Sequence, residues 1–228
     1  MANAYFTPDS ILFLKKLAKN NNRDWFQENK SVYEDTVRSP ALRFITDMAD
    51  ELPMLSPHFL AQPKKVGGSL LRIYRDVRFG KDKRPYKTNI GIQFRHEQGK
   101  DVHAPGFYVH IEPGECFIGV GIWRPDSHAL GKIRDRITEQ GKKWLSAVND
   151  KTFKKYFELS GDSLINAPRG YAKDHPLIDD LKRKDFIAIS HIDENSVLNS
   201  KFKKQVMDHF KVADNYMQFL CKALDLRY

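Results

Sequence analysis

The stretch Gly106–Trp123, GFYVHIEPGECFIGVGIW, contains two apolar runs on either side of a Pro-Gly pair. In the first run apolar residues alternate with Tyr108, His110 and Glu112, which is the period of a strand with one buried face. Proline suits the first central position of a tight turn, and glycine accepts the positive φ of the second. The stretch therefore predicts an antiparallel hairpin that turns at residues 113–114.

The turn also fixes which residues of the hairpin face each other. A two-residue turn pairs His110 with Phe117 and Tyr108 with Gly119. Tyr108, His110 and Glu112 then share one face of the sheet, because successive strand residues point to opposite faces. A strand glycine leaves room for a ligand, although Tyr108 covering Gly119 to protect the sheet is an equally physical explanation. Histidine can exchange protons with a ligand near neutral pH, or it can be purely structural.

Other periodic segments flank the hairpin. Apolar and polar residues alternate at 71–77 and 90–94, and an apolar run occupies 186–192. The first and last thirds carry apolar residues at helical spacing, which predicts several helices and a terminal helix of about thirty residues. We therefore predict an α+β fold in which helices cover a mainly antiparallel sheet of about five strands. Residues 1–228 are expected to form a single domain.

The composition is that of a soluble globular protein, with 41% hydrophobic and 29% charged residues. The N-terminal sequence lacks a basic segment followed by an apolar one, and the longest apolar run, 116–123, is too short to span a bilayer. The two cysteines, Cys116 and Cys221, form no paired motif. We therefore predict a cytoplasmic protein that does not bind membranes.

Positive charge is concentrated in one segment of the chain. Residues 64–87 contain nine lysines and arginines and two aspartates, a net charge of +7, so the other 204 residues carry only +2 of the total +9. A local excess of this kind indicates a single anion-binding region more than general attraction to polyanions. The densest part is Arg72–Lys87, RIYRDVRFGKDKRPYK.

Within this stretch Arg75 has an unusual expected position. If 71–77 is a strand, Arg75 lies on the face of Leu71, Ile73 and Val77, while Arg72, Tyr74 and Asp76 lie on the other. A guanidinium among apolar neighbours needs a partner, because an isolated buried charge costs several kcal/mol or more. That partner is either a carboxylate of the protein or a bound anion.

The same residues carry a family resemblance. The spacing RxxRDxRFxxDKxxY resembles the signature of an uncharacterised bacterial family, with fungal relatives, that is catalogued as a conserved hypothetical protein or domain of unknown function. Here it is formed by Arg72, Arg75, Asp76, Arg78, Phe79, Asp82, Lys83 and Tyr86. GFYVHIEPGE at 106–115, PRGY at 168–171 and DHP at 174–176 are also similar to that family. The resemblance spans nearly the whole chain and implies one structural unit, but it implies no reaction, ligand or catalytic residue.

Several common chemistries lack their motifs here. The sequence has no GxxxxGK[ST] phosphate loop, no GxSxG elbow and no HExxH, and Gly119-Val120-Gly121 lacks the third glycine of a dinucleotide fingerprint. The eight histidines are scattered without the close spacing of metal ligands, so a metal site would have to be assembled in space. We expect no cofactor and no metal.

These patterns leave four functional hypotheses. The first is a pocket for a small phosphorylated or carboxylated ligand, and the second is a nucleic-acid-binding module that uses the basic segment 64–87. The third is a phosphodiester-cleaving enzyme in which arginines stabilise the transition state and His110 or Tyr86 handles protons or attacks. The fourth is a structural salt-bridge network. For the first hypothesis the predicted ligand-binding residues are Arg72, Tyr74, Arg75, Asp76, Arg78, Lys83, Tyr86, Tyr108, His110 and Arg169.

Overall fold

The predicted hairpin forms, and its register is the expected one. The computed structural model describes residues 4–78, 81–99 and 104–228. His110 pairs with Phe117 and Tyr108 with Gly119 across the turn, where Gly114 has a φ of 83°. Because the turn residues and the alternation agree, local sequence alone specifies this part of the sheet.

The hairpin is the centre of a sheet whose recorded strand pairs are all antiparallel. Its strand order is β1-β2-β3-β4-β6-β5. The strands are β1 Phe59–Leu60, β2 Ile90–His96, β3 Gly106–Glu112, β4 Glu115–Ile122, β5 Glu158–Ser160 and β6 Phe186–Ile192. The predicted α+β fold is confirmed, and the described residues form six strands in the sheet where about five were predicted.

Helices precede, interrupt and follow the strands. They are α1 Pro8–Lys19, α2 Arg23–Glu28, α3 Lys30–Tyr33, α4 Ser39–Met48, α5 Leu52–Leu55, α6 Ser127–Glu139, α7 Gly141–Val148, α8 Lys151–Tyr156, α9 Ile178–Leu181, α10 Glu194–Val197, α11 Phe202–Val212 and α12 Asp214–Ala223. A π-helical turn, Glu34–Arg38, joins α3 to α4. Nowhere in the described ranges is a helix both long and apolar enough to cross a membrane.

One face of the sheet is buried against these helices. Ile92, Val109 and Ile118 are fully buried there, and the Phe107 ring lies 4.4 Å from that of Phe210 on α11, centroid to centroid. The opposite face carries the alternate residues of β3 and β4, and of these Tyr108, His110, Glu112 and Phe117 are only partly buried. We call the surface formed by Asn89, Gly91, Tyr108, His110, Glu112, Phe117 and Gly119 the polar face.

The predicted strand at 71–77 is not a strand of the sheet. The segment makes two isolated bridges, Leu70 with Ile92 and Tyr74 with Tyr86. The two bridges are four positions apart in the first segment of the chain (74 − 70) and six positions apart in the second (92 − 86). Because these spacings differ, no continuous ladder connects the bridges. The alternation of burial survives, since Ile73 is 4% exposed and Tyr74 46%.

The terminal helix is also divided, contrary to the prediction of one long helix. α11 ends at Val212 and α12 begins at Asp214. The N–H of Ala213 donates to the carbonyls of both His209 and Phe210, which tightens the last turn of α11. The predicted apolar stripe is nevertheless internal, because Val206, Phe210, Ala213, Met217 and Leu220 are all fully buried.

Candidate functional site

Three side chains of β3 form a hydrogen-bonded row on the polar face. The distance from the Tyr108 hydroxyl to His110 Nδ1 is 3.2 Å, and that from His110 Nε2 to Glu112 Oε2 is also 3.2 Å. The Phe117 ring stacks on the imidazole, with centroids 4.5 Å apart and an interplanar angle of 7°. The contacts fit the tautomer in which Nε2 donates to Glu112 and Nδ1 accepts from Tyr108.

Two residues that lead into β2 complete this row. The Thr88 hydroxyl donates to Glu112 Oε1, and Asn89 Nδ2 lies 3.4 Å from His110 Nδ1. Neither residue was among the predicted ligand-binding residues. The signal that could have found them is their position between the basic stretch and a strand that pairs with β3.

Tyr108 fills the space that the strand glycines leave. A Cβ atom built on Gly91 would lie 2.7 Å from the Tyr108 hydroxyl oxygen and 3.1 Å from Leu71 Cδ1, whereas one on Gly119 would lie 3.7 Å from Tyr108 Cβ. The tyrosine therefore covers both glycines, which agrees with the protective role considered for Gly119. It also places the phenol within reach of His110.

The environment of Tyr108 keeps its phenol protonated at neutral pH. Burial is the main cause that raises its pKa to about 12, and the negative charge of Glu112 adds to the effect. Tyr108 is therefore a hydrogen-bond donor on the polar face under ordinary conditions.

Three arginines of the basic stretch form ion pairs with aspartates of the same stretch. Asp82 Oδ2 accepts from Arg75 Nη1 and from Arg84 Nη2, both at 2.7 Å, and Asp76 Oδ2 accepts from Arg78 Nη2 at 2.7 Å. The Arg84 hydrogen bonds hold the pKa of Asp82 well below its usual range, and those of Arg78 do the same for Asp76. The partner that Arg75 was expected to need is thus Asp82. For Arg75, Arg78 and Arg84, the structure shows the salt bridges that the structural hypothesis predicted.

A cluster of cations remains beside this network. Backbone hydrogen bonds from Arg75 N to Pro85 O (2.9 Å) and from Lys87 N to Ile73 O (2.7 Å) hold the two sides of the stretch together. Burial lowers the pKa of Lys87, and the positive charges of Arg72 and Arg75 lower it further. We call Arg72, Arg75 and Lys87 the cation cluster.

The cation cluster is incompletely paired. Asp82 is the ion-pair partner of Arg75, whereas Arg72 and Lys87 form no ion pair with any residue in the described ranges. Arg75 Nε is buried and has no hydrogen-bond partner among the residues that the structure describes. Lys87 directly precedes Thr88, whose hydroxyl donates to Glu112, so the cluster adjoins along the chain a residue that contacts the row on β3.

The remaining predicted residues lie in different surroundings. Tyr86 is 2% exposed and its ring stacks on Phe26 at 4.1 Å, so it belongs to the apolar core. The Tyr74 ring lies 5.5 Å from that of Tyr86 and is largely exposed. Lys83 Nζ donates to the carbonyl of Val77 at 2.9 Å. Arg169 is exposed in the connection between β5 and α9, where no described contact joins it to the others. Phe79, from the family signature, lies outside the described residues.

The two clefts that the structure describes do not coincide with these residues. A cleft of about 410 Å³ lies between α6, α7 and α12, and a smaller one of about 190 Å³ lies beside β2 near Gln62, Ser69 and Arg95. None of the ten predicted residues lines either one. The cation cluster and the row on β3 therefore belong to neither cleft. Within the described ranges, no three His, Cys, Asp or Glu side chains gather as metal ligands do.

Comparison with known proteins adds one match. A family model described as a conserved hypothetical protein covers residues 9–219 of the chain, which is nearly all of it. No curated protein matches the sequence. The resemblance inferred from the residues is confirmed at the level of the family.

Proposed function

Because the chain belongs to the DUF2461 family of conserved hypothetical proteins, whose description names no reaction, we propose a function from the geometry of the site. The protein binds a small anion that carries phosphate or carboxylate groups. The anion lies at the cation cluster, Arg72, Arg75 and Lys87, next to the row formed by Tyr108, His110 and Glu112.

The observation that carries this proposal is the grouping of three like charges with one ion-pair partner among the described residues, Asp82, while Asp76 attracts Arg72 without forming an ion pair with it. Positive charges held close together repel each other, and partial burial strengthens the repulsion because water screens it less. The lowered pKa of Lys87 reflects both burial and the neighbouring arginines. A bound anion offsets this cost, and the planar guanidinium of arginine suits two-pronged contacts with carboxylate or phosphate oxygens.

The row on β3 and its neighbour Asn89 supply uncharged hydrogen-bond donors for an anion bound at the cation cluster. Tyr108 stays protonated, Asn89 has an amide N–H₂, and Glu112 fixes the orientation of His110 through its Nε2. Tyr108 and Asn89 can orient a ligand without adding charge, whereas the Glu112 carboxylate is bound by Thr88 and His110.

Nucleic-acid binding is the alternative, and the ion pairs weigh against it. A phosphate backbone is bound by exposed cations whose charge is not neutralised. Here Asp76 and Asp82 bind Arg78 and Arg84, the most accessible arginines with recorded pairs in this stretch. The exposed part of the basic segment therefore carries less effective charge than its composition indicates.

The test is calorimetric titration of the purified protein with inorganic phosphate and with citrate, accompanied by thermal unfolding. We expect saturable binding of one of the two anions, and at least tenfold weaker binding by Arg72→Gln and by Lys87→Gln. Lys65→Gln is the matched control, because Lys65 belongs to the same basic segment and is exposed. Equal losses in all three variants would contradict a defined site.

The same preparation separates the two binding functions. Binding of single-stranded DNA or RNA that weakens steeply with salt, and that depends on Lys65 as much as on Arg72, would favour the nucleic-acid hypothesis. If neither small anion nor nucleic acid binds at low salt, the structural network is the whole role of the basic stretch.

A further inference from the structure

A second group of cations lines the larger of the two clefts described above, far along the chain from the basic stretch. The cleft has a volume of about 410 Å³ and lies between three helices. Each helix contributes one cation, namely Arg136 from α6, Lys143 from α7 and Lys222 from α12. A volume of this size is within the range of sites that bind small molecules.

The helices present polar groups between these cations. Ser146 follows Lys143 by three positions on α7, and Asn215, Gln218 and Lys222 follow a helical stripe on α12. Residues three and four apart occupy one face of a helix, so these side chains all point toward the cleft. No aspartate or glutamate is among the residues that line it. The lining is therefore cationic and rich in hydrogen-bond donors.

Two nearby acids already have hydrogen-bond partners. Asp225, whose carboxylate is influenced by the charge of Arg136, accepts from Lys132 Nζ at 2.7 Å. Asp214 accepts from Gln218 Nε2 at 2.9 Å. Arg136 Nε is buried and finds no hydrogen-bond partner among the described residues. A donor of this kind costs free energy unless an acceptor reaches it.

The floor of the cleft is apolar. Phe219 and Ala147 line it and are 6% and 4% exposed. Inorganic phosphate alone would leave this surface and much of the volume unfilled, whereas an organic group attached to the phosphate would cover it.

We propose that this cleft binds a phosphate monoester, with the phosphoryl group between Arg136, Lys143 and Lys222 and the organic part on Phe219. Three cations from three directions match a tetrahedral dianion better than a planar carboxylate with a single charge. The site is separate from the cation cluster and does not depend on the function proposed there.

The experiment titrates the full chain with phenyl phosphate, inorganic phosphate and benzoate. We expect phenyl phosphate to bind tightest, since it alone combines the dianion with an aromatic group. Arg136→Gln and Lys222→Gln should each weaken its binding about tenfold or more. Lys142→Gln, which removes an exposed cation adjacent to Lys143 that does not line the cleft, should leave the affinity unchanged.

Two further controls keep the result specific. Circular dichroism and the melting temperature of each variant show that it is folded, and repeating the titrations in an Arg72→Gln background removes binding at the cation cluster. The proposal is overturned if phenyl phosphate does not bind saturably at millimolar concentration in that background, or if Lys142→Gln weakens it as much as Arg136→Gln. It is also overturned if benzoate or inorganic phosphate binds as tightly as phenyl phosphate in that background.

Discussion

Arg75 Nη1 donates to Asp82 Oδ2 at 2.7 Å, while the Nε of the same guanidinium is buried without a partner among the described residues. The ion pair therefore satisfies only part of the arginine. Asp82 also binds Arg84, so one carboxylate divides its hydrogen bonds between two cations. Because Asp82 is shared, the cation cluster, Arg72, Arg75 and Lys87, keeps an excess of positive charge.

Removing the shared carboxylate should strengthen anion binding. Asp82→Asn frees Arg75 and Arg84, and we expect inorganic phosphate or citrate to bind about two- to fivefold more tightly, the scale of a partly exposed ion pair. Asp76→Asn removes the same charge but releases Arg78, which is outside the cluster. Asp76 attracts Arg72 without forming an ion pair with it, so this variant should change the affinity less. Calorimetric titration of both variants measures the difference. Equal effects would show that total charge, and not the release of Arg75, controls binding.

The Lys87 ammonium should destabilise the folded protein when no anion is bound. Its pKa is lowered on folding by burial and by Arg72 and Arg75, so the unfolded chain keeps this proton to higher pH. Stability should therefore rise as pH increases from neutral toward the usual lysine pKa of about 10.4. Lys87→Met should lack this rise. Its free energy of unfolding at neutral pH should be higher than that of the wild type by about 0.2–0.5 kcal/mol, the scale of like-charge pairs. Urea unfolding at a series of pH values tests both statements, and a variant less stable than the wild type would contradict them.

Tyr108 should make the protein less stable as pH rises into the alkaline range, the opposite of the effect expected for Lys87. Its pKa is raised to about 12, first by burial and then by Glu112, above the ordinary value of about 10. The folded state thus retains a proton that the unfolded state releases, and this contribution to stability is lost as pH rises above about 10. Tyr108→Phe should show a smaller alkaline loss than the wild type, and should cost about 1 kcal/mol at neutral pH for the missing hydrogen bond. Parallel pH curves for the two proteins would refute the assignment.

Replacing a glycine by alanine should change stability by an amount that depends on the atoms that the new methyl group would meet. In Gly91→Ala the new methyl group would lie 2.7 Å from the Tyr108 hydroxyl, so the ring must shift, at a cost of about 1–3 kcal/mol. Gly119→Ala makes only ordinary contacts at 3.7 Å and should cost less. Gly131→Ala, in helix α6 with nothing within 4 Å, should stabilise the protein by up to about 1 kcal/mol. Thermal unfolding of the three variants gives the order, and a Gly91→Ala protein as stable as Gly119→Ala would show that Tyr108 does not lie where the structure places it.

The hairpin and the register of its pairs could be predicted because they depend on neighbours in the chain. Pro113 and Gly114 specify the turn, and the period of two places Tyr108, His110 and Glu112 on one face. β1 and β5, with two and three residues, are too short to show a period, so the sequence did not reveal them. The segment 71–77 has the alternation of a strand but lacks a partner in continuous register.

The sequence by itself thus determined the fold class, the central hairpin and the location of the positive charge, since each depends on local pattern or composition. Only the tertiary structure decided what the charges contact: Asp82 for Arg75, Lys87 beside Arg72, and the core for Tyr86. It also brought together Arg136, Lys143 and Lys222 from three helices. Side chains distant in sequence meet through packing, and no periodicity encodes which of them meet.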